Sequence, residues 1–211
     1  MGFSIRFLGR RQFFVLLGAL SWSCVAVARD QSTVQIKVVV NDSAGVAGPI
    51  LNQAETEAGR ILREAGIEIG WANCPGEIVV EEACRVVADS SQLVLHIVPA
   101  GKTSTDSVFG LAFLGENGSG RYCDVFFDRV EELHRNFGID KARLLGAIAA
   151  HELGHLLLGS HAHTRAGIME QVWEEESMRE VNMGHLLFTR EQASLMKARA
   201  GREELRLAGL R

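Results

Sequence analysis

Four of the chain's seven histidines fall in one stretch, His151-Glu152-Leu153-Gly154-His155-Leu156-Leu157-Leu158-Gly159-Ser160-His161-Ala162-His163. Leu144, Leu145, Ile148, Ala149, Leu156 and Leu157 make the surrounding segment apolar over much of a helical circumference. With Asp140 as a good N-cap, the segment to about Leu158 reads as a core helix. Residues four apart on a helix share a face, about 6 Å apart along the axis. His151 and His155 can therefore aim imidazole nitrogens at one metal ion roughly 2.0–2.1 Å away. Burying them without a partner would be costly, and a zinc ion satisfies them economically. Glu152 lies one step round the helix, where its carboxylate can reach a metal-bound water without taking a ligand position. Zinc brings the pKa of such a water towards ~7, so Glu152 can act as a general base.

The longer pattern resembles the metzincin metalloproteases, whose motif H-E-x-x-H-x-x-G-x-x-H has a methionine turn behind it. His161 falls on the third histidine. Met169, in Gly167-Ile168-Met169, follows it by eight residues, a short spacing similar to the matrixin branch. The resemblance covers about residues 108–169. It implies a zinc ion held by His151, His155 and His161, with Glu152 as general base and then acid. Met169 would be an apolar floor beneath the metal, and the activity that of a zinc-dependent endopeptidase on peptide or protein substrates. The family glycine should be residue 158, which is Leu158, and Gly159 comes one place late. His161 and His163 flank the position counted from Gly159. His161 is preferred, because its spacing from both His155 and Met169 matches.

In metzincins an edge strand runs above the active-site helix, and substrate binds as an added antiparallel strand. Val108 to Leu114 stands in the place of that strand, which makes Leu111, Ala112 and Phe113 candidate substrate contacts. A histidine cluster for a matrixin-type structural zinc is missing, so the resemblance is to a minimal form of the domain. Two other readings remain. A gluzincin arrangement would take a downstream carboxylate, among Glu174, Glu175 and Glu176, as third ligand. A non-catalytic zinc protein on the same fold would close its site with a fourth ligand, which His163 could supply.

The N-terminus carries a different signal. Residues 1–28 hold Arg6, Arg10 and Arg11 and no acids, then an apolar run from Phe13 ending in Ala26-Val27-Ala28. A basic head, a short apolar stretch and a small-x-small end predict a secretory signal peptide cleaved after Ala28. The alternative is an uncleaved anchor, but about 16 apolar residues are marginal for a span that needs roughly 17–25. Gly9-Arg10-Arg11-Gln12-Phe13-Phe14 also resembles a twin-arginine export signal. The expected location is secreted or periplasmic. Cleavage leaves residues 29–211 as one domain, with 19 cations against 26 acids, a net charge of −7. So acidic a chain argues against nucleic acid or an anionic membrane as partner. Of the remaining cysteines, Cys74 and Cys84 are the natural disulfide pair in an oxidising compartment, through Pro75-Gly76. Cys123 is left as a buried thiol.

Thr33 to Val40, Ile67 to Trp71, Leu93 to Val98, Val108 to Leu114 and Tyr122 to Phe127 read as strands. Pro49 to about Ala65 reads as a helix, and Thr189 with Gln192 forms a capping box for a C-terminal helix reaching towards Leu207. His96 is expected to be a hydrogen-bonded core histidine. This order predicts an α+β domain with a twisted, mostly parallel sheet, which the metzincin resemblance completes with an antiparallel edge strand.

Overall fold

The computed structural model describes residues 33–74, 92–100, 108–207 and 209. The chain divides into two units, Met1–Asp30 and Gln31–Arg211, and the described residues belong to the second. The expected signal segment, Cys24, Cys84 and the loop at Gly101 to Ser104 lie outside the described residues.

Five strands, β1 (Val34–Asp42), β2 (Ile67–Cys74), β3 (Gln92–Val98), β4 (Gly110–Phe113) and β5 (Tyr122–Phe126), form one sheet in the order β2-β1-β3-β5-β4. Neighbours from β2 to β5 pair parallel, and β4 pairs antiparallel with β5 at the edge. The helices are α1 (Gly48–Glu64), α2 (Phe127–Phe137), α3 (Lys141–Leu158), α4 (Glu175–Met183) and α5 (Arg190–Leu207). The architecture is the α+β one expected from the order of elements. β1 and β3 each bury apolar side chains on both faces. Val38, Val40, Leu95 and Ile97 join the main core, whereas Val39 and Val94 pack with Cys74 on the opposite face.

α3 is buried along nearly its whole length, from Leu144 to Leu157. It packs against α1, against the sheet and against α5. Gly146 permits the close approach to α1, since a Cβ there would lie 2.6 Å from the Ala54 carbonyl oxygen. The Asp140 side chain caps α3 by accepting from the Arg143 N–H at 3.1 Å. Gly159 ends it in the left-handed conformation, φ 64°, as a glycine at that position readily can. The capping box of α5 is also present: Thr189 N–H donates to Gln192 Oε1 at 2.8 Å, and Gln192 N–H to Thr189 Oγ1 at 3.3 Å.

Four features depart from the sequence reading. The strand expected from Val108 to Leu114 is only the four residues of β4. α2 follows β5 with no turn between them, so its start is hidden behind the strand-like pair Phe126-Phe127. α4 occupies the stretch read as an acidic run, with Glu175 and Glu176 in its first turn, where negative charge suits the helix dipole. His96 is not a core histidine. It points to the side of the sheet away from α3, keeps 39% side-chain exposure and sits 3.4 Å from Asp124, its register partner on β5.

Candidate metal centre

His151 and His155 stand one turn apart on α3, each about 95% buried. The His151 Nδ1 lies 2.6 Å from the Ile168 carbonyl oxygen and the His155 Nδ1 lies 2.8 Å from that of Ser160. A carbonyl can only accept, so both rings carry their proton on Nδ1. Burial holds both imidazoles well below the usual histidine range, His151 at about 3 and His155 at about 4, with the neighbouring histidines adding to the effect. Both are therefore neutral near pH 7, and each presents an unprotonated Nε2.

Those two nitrogens are 3.2 Å apart. Neither holds a proton to give the other, so two lone pairs face each other at hydrogen-bond distance in a buried site. A cation between them resolves the conflict. Nitrogens at 2.0–2.1 Å from a tetrahedral zinc would be about 3.3–3.4 Å apart, which this spacing approaches. The backbone carbonyls fixing each Nδ1–H are the outer partners that commonly orient metal-binding histidines. The donor set fits a borderline-soft divalent ion.

The third histidine brought to this pair is His163. Ligand atoms of His151, His155 and His163 all lie within 4.8 Å of one another. The His163 ring stacks on His151 with centroids 5.5 Å apart and meets His155 edge-on at 4.9 Å. His161, preferred from spacing, is exposed on the same loop, as His163 is, and its ring lies 6.0 Å from that of His155. Leu158 explains the difference, because it extends α3 to Gly159, and the chain turns one residue later than the motif requires. Beyond the turn, Thr164 N–H donates to the Met169 carbonyl at 2.9 Å and draws the loop back over the helix. Glu174, Glu175 and Glu176 are exposed and contribute nothing to this cluster.

Glu152 is buried beside the pair, 4% exposed. Burial, and after it the charge of Asp124, push its carboxyl up to about 8. Gly110 makes room for it: a Cβ there would lie 2.7 Å from Glu152 Cγ and 2.4 Å from the Asp124 carbonyl oxygen. The glycine thus lets the edge strand β4 lie directly against the carboxylate-bearing turn of α3. Along β4, Ala112 faces inward, while Leu111 and Phe113 are exposed, at 40% and 47%. Met169 is fully buried under the helix, and a Cβ on Gly154 would lie 2.8 Å from its sulfur.

Sequence reasoning passed over Gly110, Gly154, Asp124 and Trp173. Trp173 stands edge-on to His151 with centroids 5.9 Å apart, and its Nε1 donates at 3.3 Å to the same Ile168 carbonyl that orients His151. No local pattern marks any of these four, since each acts through a contact with a distant element. Cys74 is disulfide-bonded, and Cys84, its expected partner, lies outside the described residues. Cys123 is a free, fully buried thiol, its pKa raised well above the usual value by burial.

The sequence matches no protein-family model and no curated protein. Solved structures do match. Archaemetzincin from Methanopyrus kandleri superposes with a TM-score of 0.50 at 19% identity, over 83% of this chain and 99% of that one. The fold is metzincin-like. A zinc-dependent peptidase from Methanocorpusculum labreanum gives a TM-score of 0.48 at 16% identity, over 76% of this chain and 99% of that one. In this metzincin-like fold His151 bonds the turn residue Ile168, and its neighbour Glu152 lies against Gly110 of the edge strand β4. No helix among the described residues is long and apolar enough to cross a membrane.

Proposed function

We propose that this protein is an exported zinc-dependent endopeptidase, with His151, His155 and His163 holding the metal and Glu152 as general base and acid. The observation that carries the reading is the convergence of two buried, neutral imidazole acceptors at 3.2 Å with a carboxyl one residue away. Zinc bound there would supply Lewis acidity, polarising a substrate carbonyl and lowering the pKa of water towards ~7. Glu152 then handles the proton. A dication beside it draws its carboxyl back towards the ionised form, so that an Oε can accept a proton and deliver it to the leaving amine. Met169 provides an apolar floor that keeps water from the buried side of the histidines.

The substrate is an extended peptide added along the outer edge of β4, antiparallel to it. It runs from the Phe113 end towards Gly110, where Glu152 lies. Export is supported by the signal-like pattern over 1–28 and by the disulfide at Cys74, which suits an oxidising compartment. The matrixin-like assignment rests on the eight-residue spacing from His161 to Met169, a path that shortens to six residues when His163 is the third ligand.

The test is metal content together with cleavage of a peptide library. Glu152→Gln should keep stoichiometric zinc and abolish cleavage, and undiminished turnover would sink the mechanism. His163→Ala should lose zinc, whereas His161→Ala should retain it. Four protein ligands on the zinc, with His161 as the fourth, would instead favour a non-catalytic zinc protein.

A further inference from the structure

We infer that the cleft beneath the far end of β4 is a docking site for acidic residues upstream of the bond to be cut. The inference rests on the peptidase reading and adds a substrate preference to it. The cleft has a volume of about 950 Å3 and lies between the beginnings of β1, β3 and β5, the end of α3 and one face of α5. Its floor is apolar, formed by the buried side chains of Leu93, Leu156 and Leu157. Its rim is cationic. Arg199, Arg202 and Arg206 follow one another at three and four residues on α5, a spacing that puts them on one helix face. Arg121 stands across from them at the start of β5.

Among the described residues lining the cleft, one acid, Glu203, stands against four arginines, and it pairs with Arg206 at 2.8 Å. Arg199 is partly committed, donating to the Gly118 carbonyl at 2.6 Å. Four arginines against one glutamate among the described lining residues still leave an excess of cations there, in a chain whose formal charge is −4. Such concentration of one sign in a concave site attracts the opposite charge. Arginine forks suit carboxylates in particular, because they can bind them through two parallel hydrogen bonds.

Continuity with β4 identifies the occupant. Phe113 is both the last residue of β4 and part of the cleft wall, and its exposed ring leads from one to the other. A peptide added antiparallel to β4 enters over Phe113 and reaches Glu152 opposite Gly110. About three residues cover that length of strand, so the positions four to six residues before the scissile bond lie over the arginines. Acidic side chains there meet the rim, and an apolar neighbour can rest on the leucine floor.

The test uses one cleavable peptide, chosen from the library screen, with its upstream end extended by acidic, neutral or lysine residues. The acidic form should be cleaved with kcat/KM higher by on the order of tenfold, mainly through KM and with strong salt dependence. Binding is read separately by fluorescence anisotropy of the same labelled peptides on the zinc-loaded Glu152→Gln protein. The double variant Arg202→Glu with Arg206→Glu should lose the acidic preference and favour the lysine extension. That reversal also shows that the variant is folded. Equal binding and cleavage of the three extensions by the unmutated protein would overturn the cleft assignment while leaving the peptidase reading intact. Charge-dependent binding with no cleavage of any peptide would overturn the peptidase reading, and with it the role of the cleft in substrate choice.

Discussion

Replacing Glu152 by Gln should change not only catalysis but the way stability of the metal-free protein depends on pH. Glutamine keeps the shape of the buried side chain and removes its titration. In the folded protein the Glu152 carboxyl is pushed up to about 8, chiefly by burial, from an ordinary value of 4.5. Between these values the folded state holds a proton that the unfolded state has released. The contribution is fully present below pH 4.5 and is lost as pH rises through about 8. Each pH unit within the window removes about 1.4 kcal/mol, or about 5 kcal/mol over the whole of it. Urea unfolding of chelator-treated protein, with its disulfide intact, should therefore show the variant gaining about 4 kcal/mol on the unmutated protein between pH 5 and pH 9. Other titrating groups are common to both proteins and cancel in the difference. Parallel stability curves would mean that the carboxylate is not desolvated in the fold, and the account of Glu152 as a buried, proton-holding group would fail.

Three further outcomes are expected. In the Glu152→Gln background without metal, stability should fall as pH drops from 6.5 towards 4. His151 and His155 are held below their unfolded value, so unfolding takes up protons in that range; a flat denaturation midpoint would contradict their burial as neutral rings. Gly110→Ala puts a Cβ 2.4 Å from the Asp124 carbonyl oxygen and 2.7 Å from Glu152 Cγ. It should cost about 1–3 kcal/mol and lower kcat by more than the stability loss explains, whereas unchanged turnover in a folded protein would remove β4 from the site. Asp140→Ala removes the cap on α3 and should lower stability by about 1 kcal/mol with zinc stoichiometry unchanged; loss of zinc from folded protein would show that the helix start bears on the metal centre.

What can be read from the sequence is what a single helix decides. His151, Glu152 and His155 are placed by the 3.6-residue repeat alone, so their spacing holds whatever surrounds α3. The Asp140 cap and the Thr189–Gln192 box are equally local, each made within three residues. The parallel strands were visible for a related reason, since apolar runs such as Leu93 to Val98 must be covered on both sides. The third histidine is another matter. Its position depends on where the chain goes after Gly159, and that path is set by distant groups. Arg199 of α5 lies over the Gly159 Cα, where any Cβ would meet its guanidinium at 2.3 Å. Ile168 binds Leu187 through its N–H and His151 through its carbonyl. The same holds for Gly110 against Glu152 and for Trp173 against His151. The pair of histidines, their carboxylate and the layered α+β plan were legible in the chain, because they follow from local periodicity and hydrophobic pattern. Only the folded chain brings His163 within reach of the pair, buries the Glu152 carboxyl so that its pKa rises, and gathers four arginines near the end of β4. Each of these depends on how closely distant segments pack and how far they exclude water.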